Sequence, residues 1–364
     1  MTLYLGCYTD STHLNGLKAL RVDDSTRRIE VVAEYPVPNA IYQAFSPDGR
    51  WLYSCTGEGL ASFAIGKDGN LAGIDALSLG KCVCHVAAMP DGKRVVFADY
   101  LGGFAGSVAV ENGKFGEVVM HRHSGYGPNL PRQDKAHCHQ AIPTPDGKGY
   151  CVVDLGLDQI VEYPSGRVFR TSPSGAGPRH LIFHPNGRLA FLVSELGNLV
   201  TSLSWNQEKG FETLDMTSTM NTGSASSRHS LRSAWLATNR EPRLRGGYAS
   251  LRLCVKSDLS RLAAAIRFTP DMKRIVVSNR GEDSLAVYDF DSATGNLAFK
   301  SRTFLAGSWP RDFMFVSDNL ALVALERSGE VHALRYNVAT GDFKIIATLG
   351  GLFRPVAFCK GVDR

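Results

Sequence analysis

The 364-residue sequence predicts an all-β chain folded as a seven-bladed β-propeller, closed by pairing of its N- and C-terminal strands. Three observations predict it. A Pro-Asp-Gly turn recurs at regular intervals, an apolar run flanks the turns on both sides, and the two chain ends carry complementary halves of one more copy.

The turn copies are Phe45-Ser46-Pro47-Asp48-Gly49, Met89-Pro90-Asp91-Gly92, Thr144-Pro145-Asp146-Gly147, Phe183-His184-Pro185-Asn186-Gly187 and Phe268-Thr269-Pro270-Asp271-Met272. A sixth, degraded copy is Phe315-Val316-Ser317-Asp318-Asn319. Pro presets φ, the Asp or Asn side chain closes the turn, and Gly accepts positive φ. Positions 48, 91, 146, 186, 271 and 318 are spaced 43, 55, 40, 85 and 47 residues apart. Four of these intervals suit one four-stranded blade of roughly 40–50 residues.

The seventh copy is split. Phe353-Arg354-Pro355-Val356-Ala357-Phe358-Cys359 matches the strand before a turn, and Thr2-Leu3-Tyr4-Leu5-Gly6-Cys7-Tyr8 matches the strand after it. Pairing the two ends leaves the ring without a free edge. The chain is read as one propeller domain over residues 1–364, with 221–260 as an atypical insertion that accounts for the 85-residue interval. That segment is rich in Ser and Arg and lacks strand alternation.

Bulk composition excludes several functions. Net charge is +5, from 40 basic and 35 acidic residues, with no basic stripe interleaved with aromatics, so no nucleic-acid partner is expected. No run of 18 apolar residues and no signal peptide is evident, so neither membrane association nor export is expected. Eight scattered Cys fit reduced thiols in a cytoplasmic protein better than a disulfide framework. The oligomeric expectation is a monomer or small homo-oligomer.

In a propeller the strand before each turn lines the central channel, and the next strand returns beside it. Residues about six before the turn Pro and about nine to ten after it therefore meet at one mouth. Those positions hold His139, Arg179 and Arg311 on the first strand, with Cys84 beside them and His85 and His180 one residue further on. On the second strand they hold Asp99, Asp154, Glu195, Asn279, Arg280 and Glu326. Each alone is compatible with an inter-blade ion pair. Together, convergent Arg side chains suit a carboxylate or phosphate, and a neighbouring His or Glu suits a general base on water.

In Arg132-Gln133-Asp134-Lys135-Ala136-His137-Cys138-His139, strand alternation puts His137 and His139 on one side and Cys138 on the other. Two same-face His do not complete a four-ligand set, so no metal and no cofactor is expected. No Gly-x-Ser-x-Gly elbow and no glycine-rich phosphate loop is present.

The ordered motifs Arg132-Gln133, His137-x-His139, Val153-Asp154-Leu155-Gly156, Gly177-Pro178-Arg179-His180, Ser194-Glu195-Leu196, Ser278-Asn279-Arg280-Gly281 and Pro310-Arg311-Asp312-Phe313 resemble those of the seven-bladed β-propeller lactonase family. That family includes cycloisomerase-like 6-phosphogluconolactonase and 3-carboxy-cis,cis-muconate lactonizing enzyme. The resemblance spans the chain outside roughly 221–260. It implies a metal-independent site on one propeller face and a small anionic lactone as partner. His137, His139, Glu195 and Arg179 are the catalytic candidates it implies. Arg132, Gln133, Asp154, His180, Asn279, Arg280 and Arg311 are the substrate-binding candidates. Lactone hydrolysis, most directly of 6-phosphogluconolactone, is the function expected. A carboxymuconate cycloisomerase and a non-catalytic binding platform are the alternatives.

Overall fold

Strands run in chain order from β1 (Leu3–Cys7) to β28 (Pro355–Lys360) in a computed structural model describing residues 3–23, 28–220 and 258–361. The insertion assigned to 221–260 lies almost wholly outside the described residues, as does Cys254. The described residues form seven antiparallel four-stranded sheets and no helix. No helix long and apolar enough to cross a membrane is therefore present among them.

Each blade begins with a channel-lining strand: β4 (Gln43–Phe45), β8 (Val83–Ala88), β12 (Cys138–Pro143), β16 (Pro178–Phe183), β20 (Leu262–Phe268), β24 (Pro310–Ser317) and β28. Each of these strands packs on the next, and β28 packs on β4, which closes the ring. In the last blade β28 pairs with β1, and β2 (Leu17–Asp23) and β3 (Arg28–Tyr35) complete the sheet. The register Leu3↔Lys360, Tyr4↔Cys359, Leu5↔Phe358 joins the two ends as the sequence predicts. The core lies between blades. Leu3, Leu5 and Phe358 pack on Leu322, Ala324 and Val331 of the neighbouring sheet.

The repeated turns adopt the chemistry their residues dictate. Gly49 N–H donates to Ser46 O at 2.9 Å, and Asp48 Oδ1 accepts from Ser46 Oγ and Arg50 N. Gly49, Gly92, Gly147 and Gly187 have φ between 67° and 70°. In the fifth copy Met272 occupies that left-handed position at φ 55°. All seven described Cys are free thiols.

Candidate active site at the channel rim

A β-bulge interrupts most channel-lining strands at the same place. Val83 pairs with Asp99 and His85 with Ala98, leaving Cys84 extra. In the same way His139 is extra between Cys138 and Gln140, Arg179 between Pro178 and His180, and Arg311 between Pro310 and Asp312. A bulge bends the strand and re-aims the extra side chain. Here it frees the residues that the repeat spacing selects. The partners of the pre-bulge residues, Asp99, Asp154, Ser194, Asn279, Leu325 and Cys7, lie at the ends of the second strands or, for Asn279, one residue before. The residues that follow them, Tyr100, Leu155, Glu195, Arg280, Glu326 and Tyr8, are equivalent around one mouth of the channel.

Glu195 is the centre of this layer. It follows β17 (Leu189–Ser194) and is 2% exposed. Arg132 Nη2 donates to its Oε1 at 2.6 Å, while Arg179 Nε and Arg280 Nη2 reach its Oε2 at 3.0 and 2.9 Å. Burial alone would push the Glu195 carboxyl up. Arg280, Arg132 and Arg179 overcome it and hold the carboxyl well below the usual carboxylate range. Arg179 is pushed down to about 10, chiefly by burial and then by Arg280, with Glu195 opposing. Arg280 is lowered by burial, and Arg311 adds to that against the pull of Glu195. Three guanidiniums on one carboxylate leave two positive charges in excess, largely out of water. Arg179 Nη1 and Arg280 Nη2 also donate to the Ala264 and Ala263 carbonyls, which fixes both guanidiniums. Arg280 Nε has no partner among the described residues.

A second cationic pair adjoins the first. Arg311 and Arg354 share Glu326, at 3.0 and 2.5 Å, and both guanidiniums lie against the Tyr8 ring.

His139 stands beside this layer, its ring 5.2 Å from His180 and 5.5 Å from Tyr100 between centroids. Its Nδ1 is buried without a partner among the described residues. Burial, then Arg179, lowers its pKa well below the ordinary imidazole value, with Glu195 opposing, so the ring is neutral. Deeper in the channel His180 meets His85 at 5.9 Å, and His85 lies 4.0 Å from Tyr42. Beyond these rings the turn end of the channel opens as a cavity of about 660 Å³, lined by Tyr42, His85, Phe183, Arg267, Phe268 and Met314. Its Arg267 is neutralised by a bidentate pair with Asp312. The excess charge therefore lies at the rim, not in this cavity.

The remaining candidates divide. Arg132 enters the site from the loop before β12. Gln133 beside it is fully buried and ties that loop down, donating to Leu155 O and Asp158 while accepting from Asn129 N. His137 lies just before β12, with its ring nitrogens 2.9 Å from Tyr100 O and Asp134 Oδ1. Of the histidine pair, only His139 keeps a ring nitrogen without a partner among the described residues. Asp154 is fully buried and accepts from His137 N, Leu157 N and His123. Asn279 donates to Thr219 O and Ser284 Oγ. Asp154 and Asn279 lie one residue before the rim positions Leu155 and Arg280.

Among the described residues, His123, Cys138 and Asp154 are a buried group with metal-ligand donor types. Asp154 already caps the 155–157 turn, and His123 Nδ1 approaches it to 2.7 Å. That distance is a hydrogen bond, tighter than two ligands on one tetrahedral ion. Sequence reasoning missed Tyr100. Its signal was its place in the repeat, equivalent to Glu195 and Arg280.

The model of a family described as lactonase, 7-bladed β-propeller, matches residues 2–350. The chain belongs to the seven-bladed β-propeller lactonase family. A relative within this lactonase family, a 6-phosphogluconolactonase of Bacillus subtilis, is 29% identical over 97% of this chain and 96% of its own length. A crystal structure of a Lactobacillus plantarum protein superposes with TM-score 0.80 at 25% identity, covering 98% of this chain and 99% of that one. A periplasmic gluconolactonase of Pseudomonas aeruginosa shares the fold, with TM-score 0.82 at 23% identity over 99% of both chains.

Proposed function

We propose that this propeller hydrolyses a sugar-acid lactone bearing an anionic group, most directly 6-phosphogluconolactone, with its own side chains supplying the chemistry and no metal. The observation that carries the proposal is the excess of two buried positive charges around Glu195, flanked by the neutral His139. Buried net charge is costly until a counter-ion arrives, so the rim favours an anion. The likeness to the Bacillus subtilis enzyme supports a phosphorylated sugar lactone as that anion.

Arg179 and Arg280 hold the oxyanion that forms when water adds to the lactone carbonyl. Arg311 and Arg354, on the neighbouring blades, hold the distal phosphate. His139, a neutral imidazole beside the arginines, takes the proton from water. Bound anions offset the field of Arg179 and draw the His139 pKa back toward its working range. Glu195, ionised and clamped by three guanidiniums, is a weak base, and its role is to hold them in place.

The test is the rate of 6-phosphogluconolactone loss above its spontaneous hydrolysis, for the wild type and for Arg179→Ala and His139→Gln. A fall of about 10²-fold or more in either variant is expected. A wild type no faster than buffer, or two fully active variants, would reject the proposal.

A further inference from the structure

Tyr100 follows β9 (Arg94–Asp99) at the rim position that Glu195 and Arg280 occupy in their blades. Arg132 Nη2 donates to the Tyr100 hydroxyl oxygen at 3.0 Å and to Glu195 at 2.6 Å, so one guanidinium joins the two side chains. The Tyr100 ring is stacked on His137 at 4.3 Å and lies edge-on to His139 at 5.5 Å. With Arg132 occupying an oxygen lone pair, the phenolic hydrogen has no acceptor among the described residues and remains to be given to a ligand.

We propose that Tyr100 is the proton donor to the leaving ring oxygen during lactone opening, an inference that rests on the hydrolase reading above. Water adds to the carbonyl carbon as His139 takes one of its protons, and the carbonyl π pair becomes the oxyanion. Collapse re-forms the carbonyl and breaks the bond to the ring oxygen, whose electron pair takes the Tyr100 proton. The tyrosinate is stabilised by Arg132. It recovers a proton from protonated His139 through water. The open hydroxy acid then leaves and ionises. Lactone and water are the only reactants.

The surroundings fit a donor. Burial raises the Tyr100 pKa, with Arg132 opposing, so the phenol carries its proton at neutral pH. Glu195 is ionised and cannot donate.

Tyr100→Phe keeps the ring against His137 and removes only the hydroxyl. The experiment compares this variant with wild type on 6-phosphogluconolactone and on its ring-sulfur analogue, whose thiolate departs without a proton. Melting temperature and 6-phosphogluconate affinity check that fold and anion site are intact. A drop in kcat of about 10²-fold on the oxygen lactone, with less than about tenfold on the thiolactone, is expected. Equal losses on the two substrates, or no loss on the oxygen lactone, would overturn the role of Tyr100. A wild type inactive on both lactones would instead sink the hydrolase reading, and this inference with it.

Discussion

Arg132 donates to Glu195 at 2.6 Å although the loop before the third blade supplies one residue and the second strand of the fourth blade precedes the other. The carboxylate thus joins three blades, since Arg280 comes from the fifth, and restrains three mutually repelling cations. Glu195→Gln keeps the shape and removes the charge. It leaves Arg132, Arg179 and Arg280 without their common counter-ion. A stability loss of about 3–5 kcal/mol is expected, as for other broken buried pairs. Added phosphate should recover part of it. Urea unfolding with and without phosphate measures both, and an unchanged midpoint would refute the account.

The channel histidines set an acid limit on stability. His139 and His180 are lowered well below the ordinary imidazole value and His85 to about 3, each by burial first and Arg179 second. Their unfolded value is about 6.5. Between that value and the folded ones the unfolded chain binds more protons, so stability rises with pH and falls as pH drops below about 6.5. Each residue contributes a slope of at most about 1.4 kcal/mol per pH unit. Glu195 adds a separate loss, whose contribution is complete above its unfolded value of about 4.3 and disappears as pH falls through its lower folded value. Unfolding midpoints measured from pH 7 to 5 should fall steadily, and His180→Phe should flatten the slope by at most about 1.4 kcal/mol per pH unit. A flat profile in the wild type would contradict the burial of neutral rings.

How far the sequence discloses this site depends on which feature sets each position. The blade count and the closure were readable because Pro47, Pro90, Pro145, Pro185 and Pro270 mark a turn with its own local chemistry. Counting back from those prolines found His139 and Arg179, and the equivalent place in the degraded sixth copy found Arg311, since the bulge lies at a fixed distance from the turn. Counting forward was less sharp. Alternation alone does not say whether Asp99 or Tyr100, Asp154 or Leu155, faces the mouth, because the second strand ends there and the chain bends. The reach of Arg132 from a loop onto Glu195 is a tertiary fact that no local pattern encodes.

Met272 provides a test of the turn chemistry itself. It holds φ 55° in the place where four other copies carry glycine, and its side chain is exposed. A residue with a Cβ loses about 1–2 kcal/mol in that conformation. Met272→Gly should therefore stabilise the protein by about 1 kcal/mol, after the greater unfolded-state freedom of glycine is subtracted. Gly92→Ala, at φ 69°, should destabilise it by a similar amount. Thermal melts of the two variants check the pair, and a shared direction of change would show that φ is not the governing factor.

Ring closure makes a stronger demand. β28 is the inner strand of the last blade, and Val356, Ala357 and Phe358 are each no more than 3% exposed. It pairs with β1 and packs against both β24 and β4. Ending the chain after Arg354 removes the strand from all three at once and leaves β1 as an unpaired edge. This truncation should abolish the cooperative unfolding transition. Phe358→Ala is the milder probe, because it leaves pairing with Leu5 intact and removes only a side chain packed in the core. It should cost about 3–5 kcal/mol. Denaturant titration followed by tryptophan fluorescence distinguishes the two outcomes. A truncated chain with the wild-type midpoint would mean that the ring does not depend on its terminal strand.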